Sequence, residues 1–122
     1  MTKNIAIGID IGGSHISCAA CHLTEKKFLM ETFAESDLDN KGTIEAIVGI
    51  WSETIAKTIQ TVGIENVAGI GFAMPGPFNY EKGIALFTSE NAKYENIYGL
   101  NIPDALRKSF NLPNDFPIRF IN

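Results

Sequence analysis

Asp10 and the turn residues Gly12, Gly13 and Ser14 follow directly on the apolar run Ile5-Ala6-Ile7-Gly8-Ile9, so a carboxylate and a phosphate-sized turn meet at a strand end. Two readings are open. Gly-Gly between β-rich runs signals a two-residue hairpin turn with φ > 0, which needs no ligand. Alternatively, the glycines leave backbone N–H groups bare and Ser14 adds a hydroxyl, making a concavity for phosphate oxygens, while Asp10 holds Mg²⁺ directly or through water. Asp10 is expected to be the last residue of a buried strand, where a carboxylate is costly unless it is paired or wetted. A Walker A loop is excluded, because no Lys follows the glycines and the segment after Ser14 reads as strand rather than helix.

A second chemical pattern, Cys18-Ala19-Ala20-Cys21-His22, has the spacing of a covalent haem site. Haem attachment requires export, and residues 1–20 lack a cationic start leading into a continuous apolar core. The segment also reads as a strand, which sends positions 18 and 21 to opposite faces. Redox chemistry fails on the same geometry. Zinc would need more ligands than these cysteines and His15 or His22 supply. Two reduced cysteines packed as small apolar residues are expected.

These residues must be positioned by an ordinary globular chain. Its 122 residues, 45% hydrophobic and 20% charged, make one domain with a real core. The net charge of −4, with no Lys/Arg cluster, argues against a nucleic-acid surface and suits a small anionic or neutral ligand. No run approaches the ~18 apolar residues that span a bilayer, and the expected location is the cytoplasm.

Residues 4–10 read as a first strand, apolar enough to be covered on both faces. Residues 14–23 make a second, and Phe28 to Phe33 a third, joined by the polar turn Thr24-Glu25-Lys26-Lys27 in an antiparallel meander. Glu35 to Gly42 reads as a loop. Ile44, Ile47, Val48, Trp51, Ile55, Ile59 and Val62 then fall mostly at spacings of three and four, an amphipathic helix closed by Gly63 with Trp51 in the core. Val67 to Ala73 is a buried strand able to pair in parallel with the first, and Met74-Pro75-Gly76-Pro77 turns sharply at its end. An extended excursion, Phe78 to Phe87, leads to the polar stretch Thr88-Ser89-Glu90-Asn91. Asn101 caps a short helix with Pro103 and Asp104 in its first turn. Residues 117–122 form the last strand.

The order β-β-β-α-β-α-β is an α/β, ribonuclease-H-like layout: a mixed five-stranded sheet with helices packed on its faces. Ligands of open α/β sheets sit beyond the carboxyl ends of the strands. Asp10, the Pro75-Gly76 loop and Asn122 all lie at such ends.

Ile7-Gly8-Ile9-Asp10-Ile11-Gly12-Gly13-Ser14, the Gly-x-Gly-x-x-x-Pro-Gly block from Gly69 to Gly76 followed by Pro77, and the terminal Ile118-Arg119-Phe120-Ile121-Asn122 together resemble the ROK family of bacterial sugar kinases and related repressors. The first motif is shared with actin, the heat-shock chaperone ATPases and hexokinase. The block some sixty residues later narrows the resemblance to ROK, and it covers the whole chain.

The resemblance implies that the turn Asp10, Gly12, Gly13 and Ser14 cradles the phosphates of ATP with Mg²⁺, held by Asp10 through water. It implies that Gly76, Pro77, Ser89 or Asn91, and Asn122 touch sugar hydroxyls; Lys93 to Gly99 is longer than the family pattern. In ROK kinases an Asp directly after the strand-ending Asn is the general base, so no residue of the chain itself is expected to be catalytic. Residues 1–122 are accordingly expected to be the N-terminal lobe of a two-lobed, homodimeric kinase acting on a hexose or N-acetylhexosamine. The C-terminal lobe, with its adenosine pocket and any zinc site, is absent, and the isolated lobe is expected to be inactive. A sugar-sensing regulator lobe, a non-catalytic sugar-binding domain and a polyphosphate donor are the alternatives. ROK repressors carry a DNA-binding helical segment ahead of the first strand, whereas here the strand begins by Asn4.

Overall fold

The computed structural model describes residues 3–122. Three strands open the chain: β1 (Ile5–Ile11), β2 (His15–His22) and β3 (Lys27–Asp37). Helix α1 (Ile44–Val62) leads to β4 (Val67–Ala73), a small hairpin of β5 (Phe78–Asn79) and β6 (Ile84–Ala85), helix α2 (Ile102–Phe110) and β7 (Ile118–Ile121). The main sheet has the order β3-β2-β1-β4-β7, in which β1, β4 and β7 are parallel and β2 and β3 antiparallel to their neighbours. The mixed five-stranded α/β sheet is thus the observed fold. Thr43 caps α1 by accepting from Ala46 N, Gly63 ends it at φ 84°, and Asn101 caps α2 by accepting from Asp104 N.

Two expectations change. β3 runs to Asp37 rather than stopping at Phe33. It is the edge strand, so Glu35 and Asp37 stand in solvent while their backbones pair with Ser17 and His15; charged residues suit an edge strand and mimic a loop in sequence. Both helices, moreover, lie on one face of the sheet. Ile7 and Ile9 align across the ladder with Ile70 and Phe72, and these with Ile118 and Phe120, in one buried layer beneath α1 and α2. The helices touch each other through Ser52 and Ser109. The apolar run of β1 therefore alternates between buried and partly open positions instead of being covered twice. On the other face, Gly8, Ala19, Gly71 and Ala73 floor a groove of about 580 Å³ walled by Phe28, Met30 and Ile121.

The break between β2 and β3 is bridged by side chains. Cys18 pairs with Ala34 but Ala20 with Leu29, so four residues of β3 oppose Ala19 alone. Thr32 turns inward there: its hydroxyl accepts from Ala20 N at 2.8 Å and donates to Leu29 O at 2.6 Å, and Thr58 of α1 donates to Thr32 O at 2.7 Å. Both cysteines are free, and Cys18 packs against Thr58 at 3.1 Å. Burial pushes the Cys18 thiol up, and the Thr58 hydrogen bond partly offsets this.

Candidate functional site

The parallel strands end level. Asp10 of β1 is opposite Ala73 of β4, Ala73 is opposite Ile121 of β7, and Met74 N donates to Ile121 O at 2.8 Å. With neighbouring strands about 4.8 Å apart, Asp10, the Met74–Pro77 loop and Asn122 occupy one sheet edge roughly 10 Å wide. Asp10 is the penultimate residue of β1, not the last, and it is exposed rather than buried. Strand alternation turns its side chain to the face without helices, at the rim of the apolar groove, where water reaches it. No cluster of three or more His, Cys, Asp or Glu able to hold a metal exists among the described residues. A Mg²⁺ ion here would have the one exposed carboxylate of Asp10 and would complete its shell with water and phosphate oxygens.

Neither Gly12 nor Gly13 has positive φ, so the two-residue hairpin is not formed. The connection is a four-residue turn between paired Ile11 and Ile16, closed by Gly12 N donating to His15 O at 2.8 Å. The Gly12 N–H is therefore occupied, contrary to the expectation that it stands bare. The other three carbonyls of the turn are tied back to the body of the protein. Tyr94 Oη donates to Gly12 O at 2.6 Å, Asn40 Nδ2 donates to Gly13 O, and Leu38 N donates to Ser14 O at 3.0 Å. The N–H groups of Gly13 and Ser14 have no acceptor among the described residues, and both residues are exposed. A Cβ on Gly13 would meet nothing within 4 Å, and one on Gly12 only ordinary contacts at 3.6 and 3.7 Å. Nothing inside the chain demands glycine here, and without Cβ atoms the backbone of the turn is open to solvent.

On the other side of the edge, Tyr80 lies against two of the expected residues, Gly76 and Asn122. Its hydroxyl donates to Met74 O at 2.7 Å and accepts from Asn122 Nδ2 at 3.1 Å, and a Cβ on Gly76 would lie 3.4 Å from it. The bond into Pro77 is cis. Ser89 and Asn91 sit in a short 3-10 turn, and no hydrogen bond joins them to Gly76, Pro77 or Asn122 among the described residues. The Asn91 side-chain carbonyl accepts from Thr88 N at 2.7 Å and so caps its own turn; Ser89 is exposed. The segment carrying both is held at its ends by the two halves of the site: Leu86 N donates to Pro77 O at 3.3 Å, and Tyr94 reaches Gly12. Tyr94 and Tyr80 carry no motif of their own. Their roles come from contacts 82 and 6 residues distant in sequence.

Tyr94 is fully buried between Trp51 and Phe87, at ring distances of 6.0 and 5.5 Å. Burial pushes its phenol up from 10.0 to about 12, so the hydroxyl stays a donor. In the unfolded chain the same phenol ionises near its ordinary value. The stability it contributes is therefore complete below about pH 10 and is lost as pH rises toward about 12. Urea midpoints measured from about pH 9 to about pH 12 should fall more steeply for the wild type than for Tyr94→Phe, the difference opening only above about pH 10. Parallel curves would exclude a buried Tyr94.

No protein-family model matches the chain, and no curated protein matches it by sequence. Solved structures do. Glucokinase from Parabacteroides distasonis aligns with 99% of the chain at 22% identity and a TM-score of 0.71. A ROK hexokinase from Thermus thermophilus aligns with 97% at 20% identity and 0.67, and a ROK-family transcriptional regulator, a homologue of the E. coli MLC protein, with 97% at 18% and 0.71. The fold is thus that of ROK-family sugar kinases and regulators. The chain spans 31%, 35% and 27% of the length of these three proteins. No helix among the described residues is long and apolar enough to cross a membrane.

Proposed function

We propose that the chain is the N-terminal lobe of a ROK-family sugar kinase, whose complete polypeptide transfers the γ-phosphoryl group of ATP to a hydroxyl of a hexose or N-acetylhexosamine. The observation that carries this reading is the shared sheet edge: Asp10 and the outward Gly13 and Ser14 N–H groups at one end, Gly76, Pro77 and Asn122 at the other. An anion cradle and a hydroxyl-binding loop one strand apart are what in-line transfer between a phosphate chain and an alcohol requires. Bound Mg²⁺ would supply charge neutralisation across the phosphates.

The chain's own residues orient rather than react. Asp10 holds the cation's water shell, the Gly13 and Ser14 N–H groups donate to phosphate oxygens, and Asn122, braced by Tyr80, presents its side chain to the sugar. Ser89 or Asn91 adds a further contact to the acceptor. The proton of the attacking hydroxyl is taken by an Asp directly after Asn122, a step worth about 10²–10⁴-fold. Two lobes closing on the substrates exclude water, and the parent assembles as a cytoplasmic homodimer. A sugar-sensing regulator lobe is the second reading, favoured by the regulator's equal TM-score of 0.71.

The test is to read the codon after Asn122 and to assay the complete polypeptide for ADP release with ATP or polyphosphate. Glucose, fructose, N-acetylglucosamine and N-acetylmannosamine are the acceptors to try. An Asp at that codon with turnover of one sugar is expected. A non-acidic residue together with sugar binding but no turnover would leave the sensor.

A further inference from the structure

We propose that Tyr94 is the positioning residue of the glycine turn: its buried hydroxyl, with Asn40 beside it, fixes the Gly12 and Gly13 carbonyls inward and so holds the Gly13 and Ser14 N–H groups outward. The inference rests on the kinase reading only for what those N–H groups bind; the geometry it concerns stands by itself.

Three observations converge on Tyr94. The first is an unusual backbone. Ala92 and Tyr94 both adopt left-handed conformations, at φ 57° and 55°, which non-glycine residues rarely do and a bulky aromatic least of all. Strain of this kind persists only where surrounding structure enforces it. Here it turns the Tyr94 ring into the core between Trp51 and Phe87 and delivers its hydroxyl to Gly12 O at 2.6 Å.

The second is a cross-tie. Tyr94 N donates to Asn40 O at 3.0 Å, while the Asn40 side-chain amide donates to Gly13 O. Asn96, two residues on, donates to Lys41 O at 2.8 Å and Gly42 O at 3.1 Å. The 38–42 loop and the 94–97 segment thus form one scaffold behind the turn. A peptide group is planar, so fixing the carbonyl of Gly12 also fixes the N–H of Gly13, and fixing that of Gly13 fixes the N–H of Ser14. The two tied carbonyls belong to the same peptide planes as the two free donors.

The third is chain continuity. Tyr94 follows Asn91 by three residues, at the end of the segment whose start, Leu86, is bonded to Pro77. The side of the edge that would meet the sugar and the turn that would meet phosphate are therefore spaced by one short, doubly anchored stretch. Tyr94 touches neither ligand; it sets the geometry of the groups that do.

Removing only the hydroxyl tests this. In the 122-residue chain, Tyr94→Phe should keep the far-UV circular dichroism of the wild type. The ¹⁵N order parameters of Gly13 and Ser14 should drop from about 0.85 to below about 0.6. Affinity for Mg²⁺ with inorganic tripolyphosphate should weaken about tenfold. Asn40→Ala, which removes the neighbouring tie without touching the core, should move the same two order parameters in the same direction. A purely structural Tyr94 would lower the unfolding midpoint yet leave both the turn's order parameters and the tripolyphosphate affinity of the folded protein unchanged, which overturns the proposal. Should Tyr94→Phe fail to fold, unchanged turn dynamics in Asn40→Ala overturn it equally. A wild type that binds no tripolyphosphate counts against the kinase reading, while the order parameters still decide for or against Tyr94.

Discussion

If the complete polypeptide is the proposed kinase, Asp10→Asn is expected to lower kcat by at least about a hundredfold while leaving KM for the sugar within about threefold. The asymmetry follows from position. Asp10 is separated from Asn122 by β4, so on the proposed reading it helps to hold the donor and not to bind the acceptor. Loss of one preorganised electrostatic group at a transferring centre typically costs about 10²–10³ in kcat. Its effect on folding should be nil: Asp10 is exposed and Asn is isosteric, so the unfolding free energy from a urea melt should stay within about 0.5 kcal/mol of wild type. Activity lost without stability lost is thus attributable to the site. The measurement is steady-state ADP release at saturating ATP across a sugar titration, beside a urea melt. Wild-type kcat in the variant would remove Asp10 from the proposed phosphate site.

The parts legible in sequence were those whose signal is local. Helix α1, with its threefold and fourfold apolar spacing and Gly63 stop, and α2, with its Asn101 cap, appear within a residue of where periodicity and capping put them. The row Asp10, Pro75–Pro77 and Asn122 was legible because each member terminates an apolar run, and parallel strands of one sheet bring such ends together. What was not legible depends on contacts between distant segments. The polar half of β3 is a strand only because His15 and Ser17 pair with it. The turn at Gly12–His15 is widened from a two-residue hairpin because its carbonyls are drawn inward by Leu38, Asn40 and Tyr94, none of which is near it in sequence. The two glycines read in sequence as a positive-φ hairpin or as bare donors; neither has positive φ, the Gly12 N–H is taken by His15 O, and only Gly13 stands in open space.

Gly83→Ala should be among the most damaging single-methyl changes in the chain, and it tests how the Asn122 side of the edge is built. Gly83 closes the β5–β6 hairpin at φ 75°, with its N–H bonded to Asn79 O at 2.7 Å and its carbonyl accepting from Ile102 N, at the first turn of α2, at 2.9 Å. A Cβ there would lie 2.5 Å from Phe120 Cε2 and 2.6 Å from Pro103 Cδ. The left-handed backbone alone costs roughly 1–2 kcal/mol for an L side chain, and forcing a methyl into a packed core typically costs another 1–3 kcal/mol. Together about 2–5 kcal/mol is a large part of the 5–15 kcal/mol that holds a domain folded, and the urea midpoint should drop by about 1–2 M. Gly13→Ala makes the control, since its new methyl meets nothing and the backbone is not left-handed; its midpoint should not move. The consequence reaches the site through Phe120, which stacks on Phe72 at 5.1 Å and lies two residues before Asn122. In whatever fraction of Gly83→Ala remains folded, Phe120 must shift to admit the methyl. The amide resonances of Asn122 and Tyr80 should then move while those of Gly13 and Ser14 stay in place. Equal perturbation of both groups would mean that the two halves of the sheet edge are not independently braced, by Tyr80 on one side and Tyr94 on the other.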